Sequence, residues 1–392
     1  MKVSFSTLGC KINQFYTNCL KQKHIEEGNE VVSLSENPDI AYINTCIVTA
    51  RAGSESRKLY RKAKKYAKEV RILGCQAKLF PQEFEEKCWI EDKEIVSKLY
   101  TPIGSRTRPY LPIQFGCNNF CSYCIVPYAR GKSYSLPENI IIKNIENLIE
   151  KGYKEVVITG IHIGNYQYQS KGLKELVEEL LKFDIRIRLT SIMPNCITED
   201  FIELFKNKNL MPHLHLSQQS GSDKILKRMH RKYTREKTLW IAEKIREIRE
   251  DTCLAGDFIV GFPGEEEKDF LDTINLIKEA NFNHLHIFRY SERPYTLGSL
   301  YPDRVKEFIR KERAYKLKKL GESQKLKFLK ENLGKTFEVI IEGESSLEKN
   351  WLLGVTPNYI KIHFPKKEKK EGIISVRISD IKEGLVYGEV KE

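Results

Sequence analysis

Short apolar runs and longer amphipathic stretches alternate along this 392-residue chain, and the spacing of the alternation changes twice. In the first hundred residues KVSFSTL (2–8), EVVSL (30–34), DIAYIN (39–44) and VRILG (70–74) read as strands. Residues 54–69 read as a helix, with Leu59, Ala63, Tyr66 and Val70 along one face and Lys and Arg on the other. Strands alternating with helices predict a small parallel-sheet α/β domain over residues 1–100.

From 101 to 302 the alternation is longer and more regular. YLPIQF (110–115), EVVITG (155–160), IRIRLTS (185–191), HLHLS (213–217), GDFIVGF (256–262) and HLHIF (284–288) read as strands. Helical stretches fall near 138–150, 173–182, 199–206, 222–229, 235–249 and 267–279, the first bounded by Pro137 and Gly152. Six such units predict a (β/α) barrel short of the full eight repeats, with reactive groups at the C-terminal strand ends. Periodicity alone fits a flat doubly wound sheet equally well.

Residues 303–332 read as a Lys-rich helical connector. Beyond them, in a module spanning 333–392, TFEVIIE (336–342), WLLGV (351–355), YIKIHF (359–364), IISVRI (373–378) and VYGEV (386–390) read as five short strands. That density of strands and turns predicts a small β-barrel.

Charge adds a partner to this picture. The chain carries a net +13, and residues 303–330 hold eleven Lys/Arg against four Asp/Glu. Residues 51–71 hold nine against two. Clustered positive charge attracts a polyanion, nucleic acid first, although solvated helix faces have the same composition. The C-terminal module is balanced, apart from a local basic loop at Lys366, Lys367, Lys369 and Lys370. No run approaches a membrane span, and the first residues lack the apolar core of a secretory signal, so a cytoplasmic protein without membrane contact is expected.

Ten cysteines in such a chain point to metal or catalysis more than to disulfides. Cys117, Cys121 and Cys124 have the spacing C-x3-C-x2-C on one loop after a predicted strand. Three thiolates there can hold three irons of a [4Fe–4S] cluster and leave the fourth open. S-adenosylmethionine fills such a site through its amino and carboxylate groups. Zinc would ordinarily require a fourth Cys or His. Cys10, Cys46 and Cys75 each follow a predicted strand of the N-terminal domain. Loops after parallel strands converge on one sheet edge, so these thiols can meet in a second cluster. Taken alone, scattered cysteines are ordinarily buried hydrophobes. Cys19, Cys88, Cys196 and Cys253 have no comparable setting.

GCNNFCSYCIVPYARG (116–131), preceded by those three cysteines and followed by the β-module, resembles the radical-SAM methylthiotransferases along the whole chain. ITGIHIGNY (158–166), PHLHLSQQSGSDKILKRMHRKYT (212–234) and GDFIVGFPGE (256–265) agree with it. NTCIVTARAGSESRK (44–58) is most similar to the branch acting on N6-threonylcarbamoyladenosine in tRNA. Two departures stand out: Cys75 and Cys117 lie close together, as though the linker were trimmed, and Arg289 and Tyr295 stand where Pro and Gly are common.

The resemblance implies an N-terminal methylthiotransferase domain, a partial (β/α)6 TIM-like barrel and a C-terminal TRAM β-barrel. It implies two [4Fe–4S] clusters, one on each cysteine triad, with S-adenosylmethionine as radical source and methyl donor. The reaction is insertion of a methylthio group at C2 of the hypermodified adenine beside the anticodon. That carbon has no acidic proton, so a radical is required and no catalytic residue beyond the clusters is assigned. For S-adenosylmethionine, Tyr123 is placed to pack on adenine, and Thr159 and Gly160 to approach the amino group. Ser191 and Gln218 suit ribose or carboxylate, and Gly261 suits backbone approach to adenine. His213 and His215 are read as hydrogen-bonded residues inside the barrel. Lys316, Lys318, Lys319, Lys325 and Lys327 are the expected RNA contacts, and the expected partners are tRNA and a flavodoxin or ferredoxin donor to a monomer. The rivals are methylthiolation of isopentenyladenosine or of a ribosomal-protein aspartate, and, outside enzymes, an iron–sulfur RNA-binding protein.

Overall fold

The computed structural model describes residues 1–84, 107–366 and 372–391. The expected domain boundary near 100, Cys88, and Lys367, Lys369 and Lys370 of the basic loop lie outside the described residues. Four parallel strands, β1 (Lys2–Thr7), β2 (Glu30–Val31), β3 (Ile40–Thr45) and β4 (Glu69–Gly74), form the first sheet in the order β2-β1-β3-β4. The strand expected over 30–34 is only two residues long. Past Val31, Ser33 and Glu36 hydrogen-bond each other's backbone in a capping box, which turns the chain out of the ladder.

Helix α1 (Lys11–Glu26), which the sequence reading did not assign, buries Ile12, Phe15, Tyr16 and Leu20. Buried Asn13 and Thr17 dilute that apolar face and hide its period. Helix α2 (Ala50–Tyr66) starts earlier than the expected 54–69, because Thr49 caps it by accepting from Ala52 N at 3.1 Å. Its buried face is Gly53, Ser56, Tyr60 and Ala63. Tyr66, expected in the core, is exposed, and Val70 belongs to β4. Small residues carry this contact: Ser56 Oγ accepts from Cys46 N at 3.0 Å and donates to Cys46 O at 3.1 Å.

Six parallel strands make the second layer: β5 (Tyr110–Phe115), β7 (Glu155–Gly160), β10 (Arg186–Leu189), β11 (His213–Gln219), β12 (Cys253–Val260) and β13 (His284–Arg289). The short β6 (Tyr134–Ser135) pairs antiparallel with β5, and β8 (Gln167–Tyr168) with β9 (Lys171–Gly172) forms a separate hairpin. Isolated parallel bridges at Ile187–Leu210 and Ile192–Leu216 join the β10 and β11 halves into one arc. This is the expected partial barrel. The connector helix Glu307–Glu331 lies against the arc's β13 end, with Leu317 fully buried and Gly321 close to Leu285. A single core runs from Val3 and Phe15 through the barrel strands to Leu317.

The C-terminal strands β14 (Thr336–Glu344), β15 (Trp351–Val355), β16 (Lys361–Pro365), β17 (Ile373–Lys382) and β18 (Leu385–Val390) close into a barrel of order β14-β15-β16-β18-β17. It docks beneath the N-terminal ends of the larger barrel's strands. Arg186 Nη2 donates to Glu338 Oε2 at 2.7 Å, and Tyr359 stacks on His213 with centroids 4.4 Å apart. Among the described residues no helix is long and apolar enough to cross a membrane.

Candidate active site

The loop after β5 carries the first cysteine triad. It leaves the strand through Gly116, whose φ of +63° and 2.1 Å Cβ approach to Lys132 O admit no side chain. Cys124 N donates to Cys121 O at 2.9 Å, and Asn119 N to the Cys117 sulfur at 3.4 Å. Arg231 Nη1 lies 3.4 Å from the Cys121 sulfur. Burial pushes the Cys124 thiol up to about 12, and the Cys121 and Cys117 thiols add to the rise. Burial likewise raises Cys117, again with Cys121 opposing a second charge. Thiols gathered this closely, with Cys117 and Cys124 both resisting ionisation, suit a multiply charged cation, whose field reverses that penalty. They line a cavity of about 140 Å³ together with His162, Ser191 and Met193.

The second triad forms at the ends of β1, β3 and β4. Cys10 is the N-cap of α1 and spends no side-chain hydrogen bond there. Cys46 follows β3, and Cys75 opens the short helix Cys75–Leu79. A Cβ on Gly9 would lie 2.8 Å from the Cys46 sulfur, so glycine lets the Cys10 loop close over Cys46. Burial pushes Cys75 up to about 11, with Arg130 opposing and Cys10 and Cys46 reinforcing the rise. Cys10 and Cys46 therefore lie close enough to act on Cys75, in keeping with the convergence of strand ends on one sheet edge.

The segments that carry the two triads pack together across the domain junction. Cys75 packs in one apolar cluster with Ile47, Ile125 and Ala129. A cavity of about 190 Å³ is lined on one side by Val48 and Thr49 and on the other by Tyr123, Cys124, Gln219 and Asp257.

A family model described as the Radical SAM superfamily matches residues 111–277, and one described as uncharacterized protein family UPF0004 matches residues 2–93. The chain is 35% identical to "Threonylcarbamoyladenosine tRNA methylthiotransferase MtaB" of Aquifex aeolicus (strain VF5), over 95% of this chain and 97% of that protein. It is 34% identical to the protein of the same name from Bacillus subtilis (strain 168), over 99% and 95%. It is 32% identical to "tRNA-2-methylthio-N(6)-dimethylallyladenosine synthase" of Fusobacterium nucleatum, over 99% of each. The chain belongs to the radical-SAM methylthiotransferase family. Among solved structures, the radical S-adenosylmethionine methyltransferase TsrM of Kitasatospora setae shares the fold, with a TM-score of 0.59 at 14% identity over 76% of this chain and 77% of that one.

A methylthiotransferase of this family works with S-adenosylmethionine and [4Fe–4S] clusters, and the two cysteine triads are the groups that could hold the clusters. A cluster held by Cys117, Cys121 and Cys124 would supply the one-electron reduction that S-adenosylmethionine cleavage requires. Around that chemistry the chain provides two neighbouring cavities. Tyr123 lines both upper cavities, and Ser191 lines the one beside the radical-loop cysteines. Gln218 does not: its amide donates to Ser220 O at 2.9 Å and accepts from Thr238 at 2.7 Å. An irregularity in register between Leu216 and Gln219 turns the neighbour, Gln219, toward the cavity at φ +84°. Thr159 is buried at the end of β7, and the space beside Gly160 is taken by Gln114 O and Ile163. The close approach at Gly261 is to Arg310, not to a cavity.

His162 went unassigned in the sequence reading, although it lies in the quoted ITGIHIGNY stretch. Its ring faces the cysteine cavity, its Nε2 is buried without a partner, and burial lowers it to about 4. It therefore enters the site neutral.

Below these cavities lies a chamber of about 570 Å³ between the barrel floor, α1 and the C-terminal module. Lys11, Lys21, Arg108 and Arg188 line it, with Glu342 as the one carboxylate among the described lining residues; Arg108 pairs with Glu342 and Glu155, and Arg188 with Glu155. His215 and His286, on its upper wall, both hydrogen-bond Asp257 Oδ1 at 3.0 Å. Burial opposes the Asp257 charge, but those two hydrogen bonds outweigh it and hold the carboxyl below the usual range. The surrounding cations make this triad a hydrogen-bonded wall between chambers and a poor metal site. His215 is hydrogen-bonded as expected. His213 is not, at Nδ1, which is buried without a partner, as is Arg188 Nη1.

Proposed function

We propose that this enzyme adds a methylthio group to C2 of N6-threonylcarbamoyladenosine beside the anticodon of tRNA. In this reading Cys117, Cys121 and Cys124 hold the radical-generating cluster, and Cys10, Cys46 and Cys75 hold the one that presents sulfur. Relatives named for threonylcarbamoyladenosine and for dimethylallyladenosine both match the chain over nearly its whole length. The lower chamber favours the first. A threonylcarbamoyl group carries a carboxylate and a ureido unit, which suit Lys11 and Lys21 and the polar atoms left without a partner, His213 Nδ1 and Arg188 Nη1, while Arg108 and the rest of the Arg188 guanidinium are held by Glu155 and Glu342. A dimethylallyl group would bury hydrocarbon against those lysines and leave the two polar atoms unsatisfied. Asp257 ties this chamber to the cavity beside Cys124, so the base and its substituent would span adjoining spaces.

The test uses reconstituted enzyme and anticodon stem-loops bearing threonylcarbamoyladenosine, its methyl ester or isopentenyladenosine. Nucleoside mass analysis should find methylthio product chiefly on the free acid, with the ester turned over less well. Product on isopentenyladenosine alone would move the enzyme to the neighbouring branch. Equal use of acid and ester would leave the substrate standing and remove the charge argument.

A further inference from the structure

We infer that Tyr295 belongs to an aromatic platform that stacks unpaired bases of the RNA loop at the rim of the radical site. The inference rests on the RNA substrate proposed above and adds to it a second place of contact, away from the reacting base.

Four rings from three segments form the platform. Tyr295 stacks on Phe80 of the N-terminal domain, with centroids 6.0 Å apart and planes 16° from parallel. Tyr128 lies 6.0 Å from Tyr295, and Phe120 packs edge-on against Tyr128 at 5.6 Å. Phe120 stands between two cysteines of the radical loop, and Tyr128 four residues beyond the third. Despite these contacts Phe120 is 57% exposed, Tyr295 60% and Tyr128 42%. Contiguous exposed aromatic surface of this kind marks an interaction site.

The backbone at Tyr295 strengthens the case. Its φ is +66°, the left-handed region in which a bulky side chain is an outlier and glycine is at ease. Thr296 Oγ1 holds that turn by donating to Arg293 O at 2.7 Å. Glycine there would relieve the left-handed residue and remove only the contacts of a ring that is mostly exposed, so the ring stands against local preference. Strain of this sort is tolerated where a side chain has work outside the fold.

The occupant follows from charge. The same loop is anchored to the start of α2, where Ser291 Oγ accepts from Ala50 N at 3.0 Å and Arg293 Nη1 donates to Ile47 O at 3.3 Å. Helix α2 carries seven Lys/Arg against one Asp/Glu. Exposed rings beside a basic helix are the combination that binds single-stranded nucleic acid, the charges holding phosphates and the rings accepting base faces.

The experiment compares reconstituted wild-type enzyme with Tyr295→Gly and Tyr295→Trp, using an anticodon stem-loop and the same loop closed into a duplex. Tyr295→Gly should bind the stem-loop about five-fold or more weakly, the low end of one stacked base. Its salt dependence should stay unchanged, since stacking releases no counterions. Its melting temperature should hold or rise, because the left-handed residue is relieved. Tyr295→Trp should keep the affinity, and the duplex should show no preference for wild type over Tyr295→Gly. Unchanged stem-loop affinity in Tyr295→Gly overturns the inference. So does a loss of affinity that comes with a lower melting temperature, which would make the ring a structural prop. Wild-type enzyme that binds neither RNA would instead bring down the RNA substrate itself.

Discussion

Arg130 reaches out of the loop beyond Cys124 and into the N-terminal domain, where its Nε donates to the Cys75 sulfur at 3.1 Å. Its Nη2 hydrogen-bonds Asn13 Oδ1, and its guanidinium lies over the Tyr16 ring at 5.5 Å. Asn13 in turn donates to Leu8 O at 2.7 Å and Thr45 O at 3.0 Å, in the chain just before Cys10 and Cys46. One buried side chain of the radical-SAM domain thus braces the chain beside all three cysteines of the other domain and lowers the cost of a Cys75 thiolate.

Replacing Arg130 should therefore damage the distant cluster more than the near one. Arg130→Met should keep the iron held by Cys117, Cys121 and Cys124 and lose that on Cys10, Cys46 and Cys75, leaving about four irons per chain. Iron analysis with electron paramagnetic resonance of the reduced protein separates the two. Full iron content in the variant would show that Arg130 is only a packing residue.

That bridge explains which parts of the site were legible in the sequence. The cysteine spacing singled out the loop of Cys117, Cys121 and Cys124, and strand ends placed Cys10, Cys46 and Cys75 on one edge, because both follow from local pattern and parallel-sheet geometry. Arg130 sat inside a quoted motif, yet nothing local shows that a guanidinium in one domain reaches a thiol in another. Gln218 and Gln219 illustrate a second limit. Adjacent strand residues face opposite ways, and one register irregularity decides which glutamine meets the cavity. Helix α1 shows a third, since its buried Asn13 and Thr17 serve the cluster loops and blur the apolar period. The barrel strands and the five C-terminal strands were readable because their apolar runs are bounded by clear turn residues.

The two cysteine triads should fail in different ways. With Cys10, Cys46 and Cys75 all changed to Ala, the radical half should still cleave S-adenosylmethionine reductively but attach no sulfur. With Cys117, Cys121 and Cys124 changed, no 5′-deoxyadenosine should form, although about half of roughly eight irons should remain. Chromatography of 5′-deoxyadenosine beside iron analysis decides it. Release of 5′-deoxyadenosine by the second variant would reverse the division of labour.

The connector lysines offer a test of phosphate binding. Lys316 pairs with Glu312 at 2.7 Å, Lys319 with Glu322 at 3.1 Å, and Lys318 and Lys327 with glutamates at 3.9 Å. Such exposed pairs are weak in water and release their cations readily to a polyanion. Changing Lys316, Lys318, Lys319, Lys325 and Lys327 to Gln should weaken tRNA binding and flatten its dependence on salt. Affinity measured across a salt series would show an unaltered slope if these residues merely solvate the helix.

A last prediction concerns acid. Burial lowers His284 to about 4, and the neighbouring His286, Lys325, His215 and Lys361 push the same way. The unfolded chain holds an ordinary histidine near 6.5, so between about 6.5 and 4 the unfolded state binds the extra proton. Stability from this residue must therefore fall as pH drops through that window. Asp257, already ionised there and held by His215 and His286, adds little slope of its own over most of it. His284→Gln removes the titrating ring while keeping a polar side chain against the chamber wall. The loss of unfolding midpoint between about pH 7 and about pH 5 should be smaller in this variant than in wild type. Urea unfolding at the two pH values is the measurement, and an equal loss in both proteins would mean that His284 is protonated in the folded chain at the lower pH.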